Sequence, residues 1–453
     1  MGTDDVVSEP DVDVVRPKRR HRGFRIAASA AVVLVVAGAV VLVVAQPWNR
    51  AEPVASPSAG QSTGVTPTKT AAATPSPSAS AHVIGTVTTD PNLPPAKPLE
   101  SGLLASAGEG WSLVSYNAAD VGDASKNGPV ILYLVSPDGD VYEVANLGTD
   151  GGRIVAWAPG SPRVLILRGT DQGRYFRTVE VLDLETGASV GSFPLPPGVE
   201  AMSATFTRPT GQNIVVSAAG GANGWLKRFS PTGQELATLL SATDPNVRPD
   251  GIINFDPTWI YGQDGTFAVV NYHGLSRVTA DGATTTPIPL PAGTLECWPI
   301  RWWDGSQLLA RCTDDLGPDA ADPSFLRRTS DNMWLISMTG QLPQRLSSYV
   351  SKDGFDYGID DVWDVAGTRY AWWARICPED SFGVLDASGT YTMLMNNVHA
   401  VGHRGTTFVA WHYTACGDPG ISELVFVNGS DGSNRVILPQ VGHAVGVVGV
   451  EAR

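Results

Sequence analysis

Carboxylates crowd two stretches of this chain, TDDLGPDAADPSFLRRTS at 313–330 and KDGFDYGIDDVWD at 352–364. Asp314, Asp315, Asp319, Asp322, Asp356, Asp360 and Asp361 are the candidates there for holding a cation or a basic partner, since clustered oxygen ligands suit both. Left without a ligand, acidic loops of this kind are simply solvated. Trp363, inside the second stretch, is the aromatic residue expected to touch a ligand. A third stretch, TACGDPG at 414–420, completes the set.

Other chemistry is sparse. His399 and His403 are four apart, a chelating spacing on a helix, but they fall on an expected strand where four residues span about 13 Å. His82, His273, His412 and His443 have no partner at a metal-binding spacing. The chain shows no HExxH, no phosphate-binding glycine loop, no nucleophile elbow and no EF-hand spacing. No catalytic residue, cofactor or metal is therefore expected, and the chain reads as not an enzyme.

Cysteine placement is more informative. Cys297 and Cys312 flank CWPIRWWDGSQLLARC, which folds about Asp304-Gly305, a tight-turn dipeptide, and sets the two thiols opposite one another. A strict two-residue turn puts Pro299 at a hydrogen-bonded position, so a bulge is expected to shift the register by one. Cys377 and Cys416 are left to pair with each other. No CxxC occurs, which disfavours structural zinc.

The elements that carry these residues are strands. Apolar runs alternate with glycine turns, and the turn glycines Gly139, Gly187, Gly233, Gly282, Gly340, Gly389 and Gly432 lie 48, 46, 49, 58, 49 and 43 residues apart. A second hairpin series lies between the first. A period near 49 with four strands per repeat predicts an all-β, seven-bladed β-propeller over 101–453. Loops joining strands two and three of a blade share one face with loops joining successive blades, and the three acidic stretches fall on that face. AVGVVGV at 444–450 is expected to supply the innermost strand of the first blade and clasp the ring, with GLLAS at 102–106 as the alternative. The adjacent pairs Trp302-Trp303 and Trp372-Trp373 send one ring to each side of a sheet, as blade packing requires.

WAPGSPRVLIL followed by VEVLDLETG, and FTRPTGQNIVV followed by LKRFSPTGQ, resemble the TolB-like or PD40 (WD40-like) propeller repeat. Trp157, Pro159 and Gly160 keep part of its first motif, Asp183 and Gly187 part of its second, and Ser136-Pro137-Asp138-Gly139 the full turn tetrapeptide. The resemblance implies an envelope-located scaffold that binds proteins.

The address comes from the N-terminus. Residues 26–46 are an apolar run of membrane-spanning length, preceded by six Lys or Arg between Arg16 and Arg25. That asymmetry predicts a cytoplasmic tail at 1–25, a transmembrane helix at 26–46 in the lipid bilayer, and an exported remainder. A cleaved signal peptide ending at Ala45 is the competing reading. Residues 47–100, rich in Pro, Ser, Thr and Ala, read as a disordered linker. The formal net charge of −14 argues against nucleic-acid partners. These expectations add up to a single-pass, membrane-anchored extracellular propeller of actinobacterial type. It would serve as a non-catalytic binding module for an envelope protein or wall polymer, the alternative being a surface hydrolase acting on carbohydrate or peptide.

Thiol titration of the denatured, unreduced chain is expected to find no free thiol. Four free thiols would remove both pairings, and two would remove one of them.

Overall fold

The computed structural model describes residues 87–100, 102–121, 128–149, 152–158, 161–170, 175–219, 224–241, 259–262, 264–271, 274–316, 329–338, 340–350, 356–375, 380–415 and 421–452. The expected cytoplasmic tail, membrane helix and most of the linker lie outside these residues, as do Cys377 and Cys416.

Short runs such as VILYLV and RVLILRGT are β-branched and apolar, which favours extended backbone packed on both faces. The described residues are accordingly all-β, save one helical turn, α1 (Leu103–Ser106). A two-residue strand, β1 (Lys97–Pro98), comes first. Up-and-down antiparallel groups follow. The first holds β2 (Ser112–Asp120), β3 (Val130–Val135) and β4 (Val141–Asn146). The next holds β5 (Arg153–Trp157), β6 (Arg163–Thr170), β7 (Tyr175–Asp183) and β8 (Ser189–Pro194). After it come β9 (Glu200–Phe206), β10 (Ile214–Ala219), β11 (Trp225–Phe229) and β12 (Glu235–Ser241). Then follow β13 (Trp259–Tyr261), β14 (Phe267–Asn271), β15 (Gly274–Val278) and β16 (Thr285–Pro287). The group that carries the disulfide has β17 (Thr294–Trp302), β18 (Gln307–Asp315), β19 (Thr329–Ser337) and β20 (Gln344–Arg345). Its successor has β21 (Asp356–Val365), β22 (Thr368–Arg375), β23 (Ser381–Leu385) and β24 (Tyr391–Asn396). The last has β25 (Val398–Arg404), β26 (Thr407–Ala415), β27 (Ile421–Asn428) and β28 (Asn434–Leu438).

The final strand, β29 (Ala444–Ala452), returns to the start of the chain. It pairs antiparallel with β2, from Ser112 opposite Ala452 to Asp120 opposite Ala444. The clasp therefore uses the C-terminal strand; the GLLAS segment forms α1 instead.

Side chains between neighbouring groups build the core. Leu165, Val181, Phe206 and Val216 fill the space between β5–β8 and β9–β12. Leu309, Leu335, Ile359 and Ala371 do so between β17–β20 and β21–β24. Val409, Leu424 and Phe426 of the last group meet Val114, Tyr116 and Ile131 of the first, so apolar contact returns to where it began. This arrangement is propeller-like.

Two parallel single-residue bridges tie a third strand to the next innermost strand: Asp331 to Gly358 and Ser422 to Gly446. Both glycines have a left-handed backbone, φ 97° and 91°. A Cβ at Gly446 would lie 2.0 Å from the Ser422 carbonyl oxygen, and one at Gly358 2.3 Å from that of Asp331. Only glycine fits either place.

The linker expectation needs correction at its C-terminal end. Residues 87–100 are not loose: β1 pairs parallel with β4. Thr88 donates its backbone N–H (2.9 Å) and its hydroxyl (2.6 Å) to the buried Glu143 carboxylate. A buried carboxylate with two donors is a strong anchor, and the composition of this segment gave no hint of it.

Gly446→Ala is expected to cost about 2–4 kcal/mol, through strain and the displaced bridge. Urea denaturation monitored by tryptophan fluorescence reads this; an unchanged midpoint would show that the bridge does not hold the clasp.

Candidate functional site

The junction between β17–β20 and β21–β24 concentrates charge inside the sheets. Its foundation is the hairpin of β17 and β18. Cys297 and Cys312 face each other as direct partners, bonded at 2.00 Å with their Cα atoms 4.0 Å apart. The register slips between Pro299 and Arg301, the bulge expected from Pro299. Asp304 closes the turn by accepting the N–H of Ser306 (2.6 Å) and of Gln307 (2.7 Å). The bulge places Arg301, and strand alternation places Arg311, where both reach β21.

Each arginine takes a carboxylate and an indole. The Arg311 guanidinium donates to the buried Asp360, lies 3.9 Å from the Asp331 carboxylate and sits 5.3 Å from the centroid of Trp298. Arg301 donates to the Asp361 carboxylate and the Val362 carbonyl, and lies 5.3 Å from the Trp363 ring and 5.7 Å from that of Trp303. Arg345 donates to Asp314 at 2.5 Å and lies 5.7 Å from Trp334. Partly buried cations over indoles gain from both charge and stacking.

Asp331 stands at the same junction. Thr313 donates its hydroxyl to it at 2.7 Å. Burial pushes its carboxyl up to about 6, Arg311 opposes the rise, and the like charges of Asp360 and Glu296 add to it. Burial also raises Asp314 against Arg345, and Asp361 against Arg301. Behind Asp314 stands Asn332, fully buried, whose amide donates to Asp314 (2.8 Å) and to the Tyr349 carbonyl (2.7 Å). Its oxygen accepts from the Ser347 hydroxyl (2.7 Å) and the Tyr349 N–H (2.8 Å). Asn332 thereby holds the segment after the two-residue β20 in place of longer pairing.

The acidic candidates thus separate. Asp314, Asp360 and Asp361 come together at this junction, but each faces an arginine. Among the described residues no three His, Cys, Asp or Glu side chains are placed to hold a metal ion. Asp315 ends β18 and passes its backbone N–H to Gly293. Asp356 contributes backbone to β21, opposite Arg375. Asp319 and Asp322 lie outside the described residues. Trp363 corrects its assignment: it is on strand β21, not in a loop, and is buried edge-to-face against Phe408 with centroids 5.7 Å apart. It serves as packing and as a seat for Arg301. Sequence reasoning missed Asp331, Arg301, Arg311, Arg345 and Asn332. The usable signal was the alternation of Arg311, Thr313 and Asp331 at the loop ends of two adjoining strands.

No family model matches this chain, and no curated protein is similar enough to count as a relative. Solved structures do resemble it. The β-propeller domain of the trilobed protease from Pyrococcus furiosus is 10% identical, over 74% of this chain and 94% of that one, with a TM-score of 0.46. A puromycin-hydrolyzing peptidase of Mycobacterium tuberculosis is 12% identical over 74% of this chain and 53% of that one, TM-score 0.44. Dihydro-heme d1 dehydrogenase NirN is 14% identical over 80% and 77%, TM-score 0.42. The expectation that the chain is not an enzyme is corrected by this finding: the resembling structures include a peptidase and a dehydrogenase. At such identities the likeness names no reaction for this chain.

A carboxyl raised by burial destabilises the fold once it ionises. In Asp331 the stabilising protonated state is fully present below about pH 4 and is lost as pH rises through about 6. Asp331→Asn is therefore expected to gain about 1–3 kcal/mol relative to the native chain between pH 4 and 7. Urea unfolding of both proteins across that range measures it, and a difference that stays flat with pH would sink the assignment.

Proposed function

We propose that this chain is a surface hydrolase of the cell envelope, built as a seven-bladed propeller of TolB-like kind and acting on carbohydrate or peptide. The observation that carries this reading is Asp331. It lies at the loop end of β19, held by Thr313 and sharing Arg311 with Asp360. A carboxyl raised by burial to about 6 at a loop end, with a guanidinium and a second carboxylate beside it, has the environment of an acid–base group. Above that pH the Asp331 carboxylate accepts a proton from a water attacking the scissile bond; below it, the acid protonates a leaving group. Asp360 and Arg311 hold the charge around it, and Trp298 supplies an apolar wall.

The sheet groups support seven blades, since each apolar interface joins consecutive groups and β29 joins the last to the first. The basic tail at 1–25 and the apolar run at 26–46 support a cytoplasmic N-terminus, a single membrane crossing and an extracellular propeller on a linker. A wall polymer or an envelope protein is then the substrate within reach.

The full chain in detergent is to be assayed against fluorogenic glycosides, fluorogenic peptides and purified bacterial wall. Turnover is expected, with a pH limb near 6, and Asp331→Asn is expected to lower it by about 10²–10⁴-fold without loss of the melting transition. A native chain that releases nothing from any of the three overturns the reading. So does an Asp331→Asn chain of native activity.

A further inference from the structure

A pocket of about 420 Å³ opens between the β3–β4 turn and the β25–β26 turn, where the last group meets the first. The Asp331 site is at the end where β18 passes to β19. In up-and-down groups the first-to-second and third-to-fourth turns lie at the opposite end from the second-to-third loop, so the two sites are on opposite faces. Val409 and Phe426 form the apolar part of the pocket; Arg404 and Asp138 give it one charge of each sign.

The charges are uncommitted. Among the described residues neither the exposed Arg404 guanidinium nor the exposed Asp138 carboxylate makes an ion pair, although both line one pocket. The Arg404 stem lies against Gly110, where an added Cβ would meet its Cδ at 2.5 Å, so the glycine makes room for this arginine. The neighbouring Arg435 donates to the Asp138 carbonyl at 2.7 Å and lies 5.7 Å from the Phe426 ring, which fixes the turn that carries Asp138. The buried Ser112 hydroxyl lacks a hydrogen-bond partner. Alternation along β2 sets Ser112 on the face of Val114 and Tyr116, which pack in the cluster of Val409 and Phe426.

We infer that this pocket binds a small zwitterion with an apolar side chain, a free amino acid or an equivalent compact molecule. Arg404 takes the carboxylate, Asp138 takes the ammonium, and Val409 with Phe426 takes the side chain. A guanidinium matches a carboxylate through two parallel bonds, and an adjacent carboxylate disfavours ligands of purely negative charge.

The test is isothermal titration of the full chain in detergent with L-phenylalanine, N-acetyl-L-phenylalanine and L-phenylalaninamide. L-Phenylalanine is expected to bind, and each blocked form to bind at least about tenfold more weakly. Arg404→Ala and Asp138→Asn are each expected to weaken L-phenylalanine by about tenfold or more, whereas Asp331→Asn leaves it unchanged. No binding by the native chain at about 10 mM overturns the inference. Equal binding of all three compounds, or native affinity in Arg404→Ala, does the same. Loss of binding in Asp331→Asn would also overturn it, by showing that the amino acid occupies the other face.

Discussion

Apolar burial between the faces of consecutive sheets is the constraint on which everything else rests. A four-stranded antiparallel sheet of this size has two faces to cover, and each side chain on a face covers its neighbour's. Ile166 looks toward the first group with Leu132 and Leu147, while Leu165, the adjacent residue, looks toward the third with Val216 and Phe206. One residue of slip would exchange the two faces of a strand. The register is therefore fixed by every interface at once, and β29 supplies to β2 the partner strand that β2 would otherwise lack.

The charged junction is built against this background. Arg301 and Arg311 leave β17 and β18 to reach carboxylates on β21, so two ion pairs cross from one sheet group to the next. Such pairs gain little net stability, because desolvating both partners offsets most of their attraction. Covering each guanidinium with an indole recovers part of the loss. The disulfide one residue from Arg311 and the turn closed by Asp304 keep the hairpin from yielding. Burial raises Asp331, Asp314 and Asp361 within this braced set of charges, and the proposed function rests on the first of them.

Much of the fold was legible in the sequence. The spacing of Gly139, Gly187 and Gly233 marked the hairpins, and Cys297 with Cys312 marked one register to the residue. Pro299 announced its own bulge. The site was less legible because its chemistry comes from strand residues, whose roles depend on which sheet lies opposite. Asp360 and Asp361 were picked for their charge, but DYGIDDVWD reads as an acidic loop until β22 is laid beside it. Trp363 was misplaced for the same reason. Asp331 stands alone in TSDNMWLIS, and only pairing with β18 brings Thr313 and Arg311 to it.

The segment before the first full group shows how a sequence that looks unstructured acquires structure from a neighbour. Residues 87–100 have too few large apolar side chains to fold alone. They meet the outer edge of β4, where Lys97 and Pro98 add a short parallel strand and Glu143 accepts both donors of Thr88. Lys97 adds an exposed pair to Asp140 at 2.9 Å, worth little by itself. The edge so covered belongs to the same sheet that β29 completes from the other side. Both ends of the described chain are thus spent on one sheet, covering the edge that a lone group would leave open to other strands. A pull from residues N-terminal to Thr88 would load β1 and the Glu143 anchor first, before it reached the clasp.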